Sequence, residues 1–386
     1  MKKKNRILRI INSIDPRYGG PSKTIIDSTL VLKKKGFSVD ILTSDPSKSL
    51  FYKSKKINII NKGPGLGNYS FNIKLFFWLL KNRISYDYFI VHGIWEFNTL
   101  IARILLKNKY FIFTHGQLDP YFKTELFKKL KKQIYWFFFE RQNLLNSKSL
   151  LLTSENEKKL LNNTYVNTSG IKKTIVGYGI SKPVFNKKIA KQIFYKKFPE
   201  LKGKKFLLYL GRFHEKKGCE VLLEALKKVN NQNFKYIILM VGPNNDYKNK
   251  LIKLSKNYKL NNSIFWSDIL LNNLKWGAIA ASSGMVLSSH GENFGVSIVE
   301  SLSCSKPVLT TNKVNIHREI TRYEAGFISK NNTSSYLTIL KKFNGLNKNQ
   351  LKKLSKNSLR CFNDNFNLNS SKNNLSDLLR DKHDQI

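Results

Sequence analysis

The sequence predicts two α/β domains, each a parallel sheet wrapped by helices, and three observations carry that prediction. Short runs rich in Ile, Leu, Phe and Val alternate with amphipathic stretches of helical period, the pattern of βα units. This rhythm occurs twice along the chain. The 386 residues, 41% of them apolar, exceed what one hydrophobic core serves and suffice for two.

In the first half, strands are expected at 7–11, 39–43, 88–91, 110–114, 150–153 and 174–176. The clearest helix, over 22–35, follows Gly19-Gly20-Pro21, carries Ile25, Ile26, Leu30 and Leu32, and ends in lysines before Gly36. Strand, glycine turn and helix make one βα unit. The second half repeats the pattern with strands at 206–210, 236–241, 264–266, 285–288, 308–311 and 326–329, and with helices at 219–229 and 296–304. Between the halves the chain is lysine-rich, contains Pro183 and Pro199 and lacks a strong apolar run, as a linker would. The expected organisation is therefore a domain over 1–182, a linker over 183–204, a second domain over 205–365, and a C-terminal helix and tail over 366–386. After Leu340 the sequence turns polar and asparagine-rich, with a final helix expected near 370–380.

Composition narrows the setting. Cys219, Cys304 and Cys361 lie far apart, with no CxxC pair and no histidine at metal-ligand spacing, so neither a disulfide framework nor a metal site is expected. The first apolar run spans about six residues before Asp15 and Pro16, unlike a signal peptide, and no run approaches the roughly 20 residues that cross a bilayer. A cytoplasmic protein is expected, peripheral on the inner face of the membrane if it meets lipid at all. The net charge of +43 favours phosphate-bearing or other polyanionic partners, although the same abundance of lysine would follow from a chain-wide compositional bias. A nucleic-acid-binding protein is the rival class. The charge spreads over both halves and no helix-turn-helix or RNA-binding aromatic signature accompanies it, so no specific nucleic-acid partner is expected.

Open α/β sheets bind ligands beyond the carboxyl ends of their strands, which directs attention to the residues there. Gly19 and Gly20 follow the first strand and open a helix, where bare amides and the helix dipole can meet an anion, although a tight structural turn uses the same residues. Residues 210–218, Leu-Gly-Arg-Phe-His-Glu-Lys-Lys-Gly, place Gly211, Arg212 and Lys217 after the second domain's first strand, where two cations can neutralise a diphosphate. Residues 289–300 join a strand end, a glycine-containing turn and a helix start with two acids, Glu292 and Glu300. Eight positions are about two helical turns, so the acids are expected on one face, able to accept bonds from hydroxyls. His92 in Val-His-Gly-Ile-Trp and His115 in Thr-His-Gly-Gln-Leu-Asp-Pro each end a strand before a glycine, and with Trp95 and Asp119 they are candidates for a cleft.

At these residues the chain resembles the retaining glycosyltransferases of family GT4, in the GT-B superfamily, and the resemblance runs over nearly the whole chain. Glu292-Asn293-Phe294-Gly295 through Glu300 looks like the family's E-x7-E element. Residues 301–308 follow where the family has an A-C-G-x-P-V run, Ser305 replacing its glycine. Arg212 and Lys217 match its G-R-x4-K-G pattern. Residues 313–320 resemble a V-N-I-W-R-E-I run with His317 in place of tryptophan.

The resemblance implies two Rossmann-like, doubly wound domains facing across a cleft. It implies a UDP-, GDP- or ADP-sugar as substrate and no cofactor. It assigns Glu292 to the donor sugar, Glu300 to the ribose hydroxyls, the amides around Asn293, Phe294 and Gly295 to diphosphate or sugar, and Arg212 and Lys217 to leaving-group charge. Gly19 and Gly20 would line the cleft, and His115 would lie near the anomeric centre. It further implies transfer with retention and without a metal, the leaving diphosphate helping to deprotonate the acceptor, in agreement with the absence of a DxD motif. The implied acceptor is a saccharide or lipid-linked hydroxyl in bacterial surface-polysaccharide synthesis; a soluble sugar or sugar phosphate is the alternative. The basic and aromatic segment 122–145 fits either an anionic membrane surface or a buried amphipathic helix.

Overall fold

The computed structural model describes residues 5–18, 20–49, 51–52, 56–118, 132–164, 168–230, 234–370 and 375–380. The chain divides into two compact units, residues 1–181 with 371–386, and residues 182–370.

The first unit holds a seven-stranded parallel sheet: β1 (Arg6–Ile11), β2 (Ser38–Pro46), β3 (Asn58–Gly63), β4 (Tyr88–His92), β5 (Tyr110–Phe113), β6 (Ser149–Leu152) and β7 (Lys173–Ile175), in the order β3-β2-β1-β4-β5-β6-β7. Its strands read as continuous apolar runs because helices cover both faces; every residue of β4, β5 and β6 is buried. The helix Gly20–Lys34 turns Ile25, Ile26, Thr29 and Leu32 inward, a spacing of three to four that matches its period. β3 is absent from the sequence prediction, because Asn58, Asn61 and Lys62 dilute the apolar signal of an edge strand.

The second unit holds a six-stranded parallel sheet: β8 (Phe206–Leu210), β9 (Ile237–Val241), β10 (Ile264–Ser267), β11 (Gly284–Leu287), β12 (Val308–Thr311) and β13 (Gly326–Ser329), in the order β10-β9-β8-β11-β12-β13. In both units the strand order reverses beside the first strand, between β1 and β4 and between β8 and β11. Loops leaving the two strands at such a point diverge to opposite faces and open a crevice at their carboxyl ends.

One expectation differs from the structure, and two helices add detail that the sequence reading lacked. The segment read as a linker contains the helix Lys187–Lys197, capped by the Asn186 side chain, whose Ala190 and Phe194 are buried, Phe194 within the second unit's core. The missing apolar run reflects a helix that buries one narrow stripe. The polar stretch after Leu340 contains the 18-residue helix Lys348–Asn365, opened by a capping box between Asn347 and Gln350, with Leu354, Ser358, Cys361, Phe362 and Asn365 as its buried stripe. The C-terminal helix, described over Leu375–Arg380, belongs to the first unit. Leu375 and Leu379 enter the core formed by Ile7, Leu32 and Val39, and Arg380 donates to the carbonyl of Lys35 at 2.7 Å.

Candidate functional site

In the second unit, the loops after β8, β11 and β12 are tied together at the carboxyl edge of the sheet. Gly218 is the pivot. Its φ is +59°, a conformation that favours glycine, and a Cβ there would stand 2.2 Å from the carbonyl oxygen of Ser288. That contact lets Ser288 Oγ donate to the Gly218 carbonyl at 2.6 Å, while Ser289 Oγ and the His290 amide both donate to the Lys216 carbonyl at 2.8 Å. Glu292 is held from the other side: its amide donates to the Lys313 carbonyl at 3.1 Å and its carbonyl accepts from Asn315 at 2.9 Å. The result is an ion pair between Lys217 Nζ and Glu292 Oε1, both side chains mostly buried. The two residues come from the loops on either side of the strand-order reversal.

Beside this pair the helix Val296–Ser303 starts at Gly295, φ +68°, with no side chain capping its first turn. Its N-terminal dipole and the amides that no side chain caps favour an anion there. Asn293 accepts a bond from Asn315 at 3.2 Å, and Phe294 is buried against Phe366. Gly211 follows β8, its amide bonded to the Val241 carbonyl at 3.0 Å. Arg212 is exposed and forms no ion pair among the described residues, while its carbonyl accepts from Tyr209 at 2.9 Å. One expectation is corrected. Because the helix begins only at Val296, Glu292 and Glu300 do not share a helical face; Glu292 lies in the preceding loop, and Glu300 is a buried helical residue paired at 2.8 Å with Lys275.

In the first unit the strand-order reversal carries a different arrangement. His92, the last residue of β4, is buried, and its Nδ1 lies 2.9 Å from Nε2 of His115. The His115 ring stacks on Phe113, meets Tyr178 edge-on, and stands on a residue with φ +48°. Burial drives the His115 imidazole down to about 3 and that of His92 well below its ordinary value, with the nearby Arg9 cation adding to both. Both rings are neutral at physiological pH. His92 was expected to line a cleft, but burial and its two ring contacts make it a support for His115. Trp95 is partly exposed at φ +66°, its indole donating to the Gln117 carbonyl. Gly20 is the first residue of its helix; Gly19 and Asp119 lie outside the described residues.

Residues 190–359 match the family model described as glycosyl transferases group 1. Over this span the chain is similar to the group 1 glycosyl transferases. An uncharacterized glycosyltransferase of Methanocaldococcus jannaschii is 25% identical over 305 residues, 77% of this chain and 76% of that one. Among solved structures, sucrose-phosphate synthase from Thermosynechococcus elongatus superposes with a TM-score of 0.82 at 16% identity, over 99% of this chain and 100% of that one. Anabaena HepE in complex with UDP-glucose gives 0.77 at 13% identity, over 97% and 99%. At such identities the superpositions establish the fold, the two parallel-sheet α/β domains of GT-B enzymes.

Sequence reasoning missed the residues that support the candidate groups within each unit. Arg9 reads as an ordinary strand residue, Lys275 as one lysine among many, and Glu157 as a helix-surface acid. Yet Glu157 accepts from Thr114 Oγ1 at 2.6 Å and the Gly116 amide at 3.2 Å, bracketing His115, and from Thr153 at 2.8 Å. A cation in the middle of an apolar strand was the available signal for Arg9.

Proposed function

We propose that this group 1 glycosyltransferase moves a sugar from a nucleotide-sugar donor to a hydroxyl of a saccharide or lipid-linked acceptor, in the synthesis of a bacterial surface polysaccharide. The observation that carries the donor half is the Lys217–Glu292 pair at the strand-order reversal, beside an uncapped helix start. Diphosphate oxygens replace Glu292 as partners of Lys217, Arg212 adds the second cation, and the amides at Phe294 and Gly295 complete the anion site. Glu292, released from Lys217, accepts from the donor sugar, and Glu300 accepts from the ribose while Lys275 fixes its carboxylate.

Stabilising charge on the departing diphosphate is the main catalytic term in this reading, supplied by Arg212 and Lys217 and not by a metal. Transfer retains anomeric configuration, and His115 orients the reacting sugar. Anabaena HepE binds UDP-glucose, which favours a UDP-sugar as the first donor to try. Thermal-shift screening with UDP-, GDP- and ADP-sugars tests the donor site; one series stabilises the protein, and no shift with any would overturn it.

The acceptor half rests on the first unit. Of segment 122–145, residues 132–145 are described: Trp136 is buried, while Ile134, Phe137, Phe138 and Phe139 are 53%, 70%, 62% and 42% exposed. Exposed aromatics beside lysines suit an anionic bilayer surface and a lipid-linked acceptor. No described helix is long and apolar enough to cross a membrane, so contact would be peripheral. Flotation with anionic vesicles at low salt, abolished by Phe137→Ser with Phe138→Ser, supports this; failure to float removes it.

A further inference from the structure

Arg9 stands in the middle of β1 and is 2% exposed. Nη1 donates to the Ile25 carbonyl at 3.1 Å, Ser28 Oγ at 2.7 Å and Thr29 Oγ1 at 3.0 Å, all on the helix Gly20–Lys34, so the guanidinium has one orientation. Its Nε is 3.1 Å from His92 Nε2. A guanidinium N–H can only donate, so His92 must present a lone pair at Nε2 and carry its proton on Nδ1. That proton points at His115 Nε2, 2.9 Å away, which must therefore accept. A neutral His115 is left with its proton on Nδ1. Protonating either ring would set two N–H groups against one another, within the His pair or between His92 and Arg9.

We propose that Arg9 is a positioning residue that, acting through His92, holds the proton of His115 on Nδ1, so that His115 meets a substrate oxygen as a hydrogen-bond donor and not as a base. The geometry around the ring serves the same end. Phe113 stacks on it, Tyr178 closes its edge with a hydroxyl bonded to Thr24, and Glu157 accepts from the Thr114 hydroxyl before it and the Gly116 amide after it. A neutral histidine side chain in water prefers its proton on Nε2, so the reversed tautomer has to be imposed. Burial of Arg9 lowers its pKa to about 9, which still leaves it charged at neutral pH. The substrate-facing role of His115 is taken from the function proposed above; the proton placement stands on the unit's own geometry.

Nitrogen-15 correlation spectra of the free full-length protein, labelled at its six histidines and assigned with His92→Gln and His115→Gln, read the tautomers directly. Both rings are expected neutral with Nδ1–H from pH 5 to 8. Arg9→Gln keeps an N–H donor at the position of Nε and should preserve the pattern. Arg9→Met removes the donor and should release it, with kcat of transfer falling roughly 10-fold to 100-fold at little change in KM and recovering in Arg9→Gln. A proton on Nε2 of His115 in the wild type, or loss of the pattern in Arg9→Gln, overturns the proposal; the two suffice should Arg9→Met not fold. An unchanged pattern in folded Arg9→Met overturns it equally. A tautomer shift with undiminished transfer upholds the relay and rejects the substrate-facing role of His115.

Discussion

The two units share a topology but differ in the ionisable groups they gather beside the strand-order reversal. In the second unit Lys217 pairs with Glu292, Lys275 with Glu300, and the buried Lys248 with the exposed Asp268. In the first, Arg9, His92, His115 and Glu140 are buried or nearly so, and none forms an ion pair among the described residues. Paired charges at a crevice suit a polyanionic ligand, because the cation is already desolvated and only exchanges one anion for another. Neutral rings with fixed protons suit hydroxyl groups, where donor and acceptor must be told apart. The contrast divides the labour as the proposed function requires, charge handling in one unit and sugar orientation in the other.

Breaking the paired side has the largest expected effect. Lys217→Ala or Glu292→Ala should leave a folded protein whose transfer rate falls by about 10²–10³, measured as sugar release from the donor that the thermal screen identifies. Wild-type turnover in either variant would sink the assignment. Next in size, Gly218→Ala drives a Cβ into the Ser288 carbonyl and should cost about 2–3 kcal/mol by denaturant unfolding, with transfer lost as the loops part. A neutral result would show that the loops are not held as described.

The neutral side is sharpened by pH. Burial raises Glu96 and Glu140 to about 7; the Glu140 charge adds to the rise at Glu96, while bonds from Asn143 and Thr99 oppose it at Glu140. Their contribution is full below the ordinary carboxyl value near 4.5 and is lost as pH rises through 7. The depressed histidines run the other way: stability is full above about 6.5 and falls as pH drops towards 3. Glu140→Gln should therefore gain up to about 3 kcal/mol over wild type at pH 8 and nothing at pH 4. Equal gains at both would place the carboxyl in water.

The smallest effect concerns Ser305, which has φ +62° where the related family has glycine. Ser305→Gly should relieve about 1 kcal/mol, read as a raised melting temperature, with transfer unchanged. A loss of stability would mean that the serine hydroxyl contributes more than its backbone costs.

What the sequence made legible follows the same divide. Strands such as 206–210 and 308–311 announce themselves because burial on both faces forces apolar runs, and Gly218, Gly295 and Lys217 stand out because turns and phosphate chemistry demand particular residues at particular spacings. The helix Lys348–Asn365 was hidden, since a stripe of Leu354, Ser358, Cys361 and Phe362 is too narrow to lift its lysines and asparagines. The relay was hidden for another reason. Arg9, His92 and His115 are 83 and 23 positions apart, and only β1–β4 pairing and the turn after β5 bring them together.

The central claim, that Lys217 and Glu292 form the donor site, is tested most directly by calorimetric titration of the screened nucleotide sugar into wild-type, Lys217→Ala and Lys353→Ala proteins. Lys353 pairs with Glu324 on the exposed surface and serves as the control for lost charge. The account predicts tight binding by wild type and Lys353→Ala, weakened by about 10-fold to 100-fold in Lys217→Ala. Equal affinity in all three would contradict it.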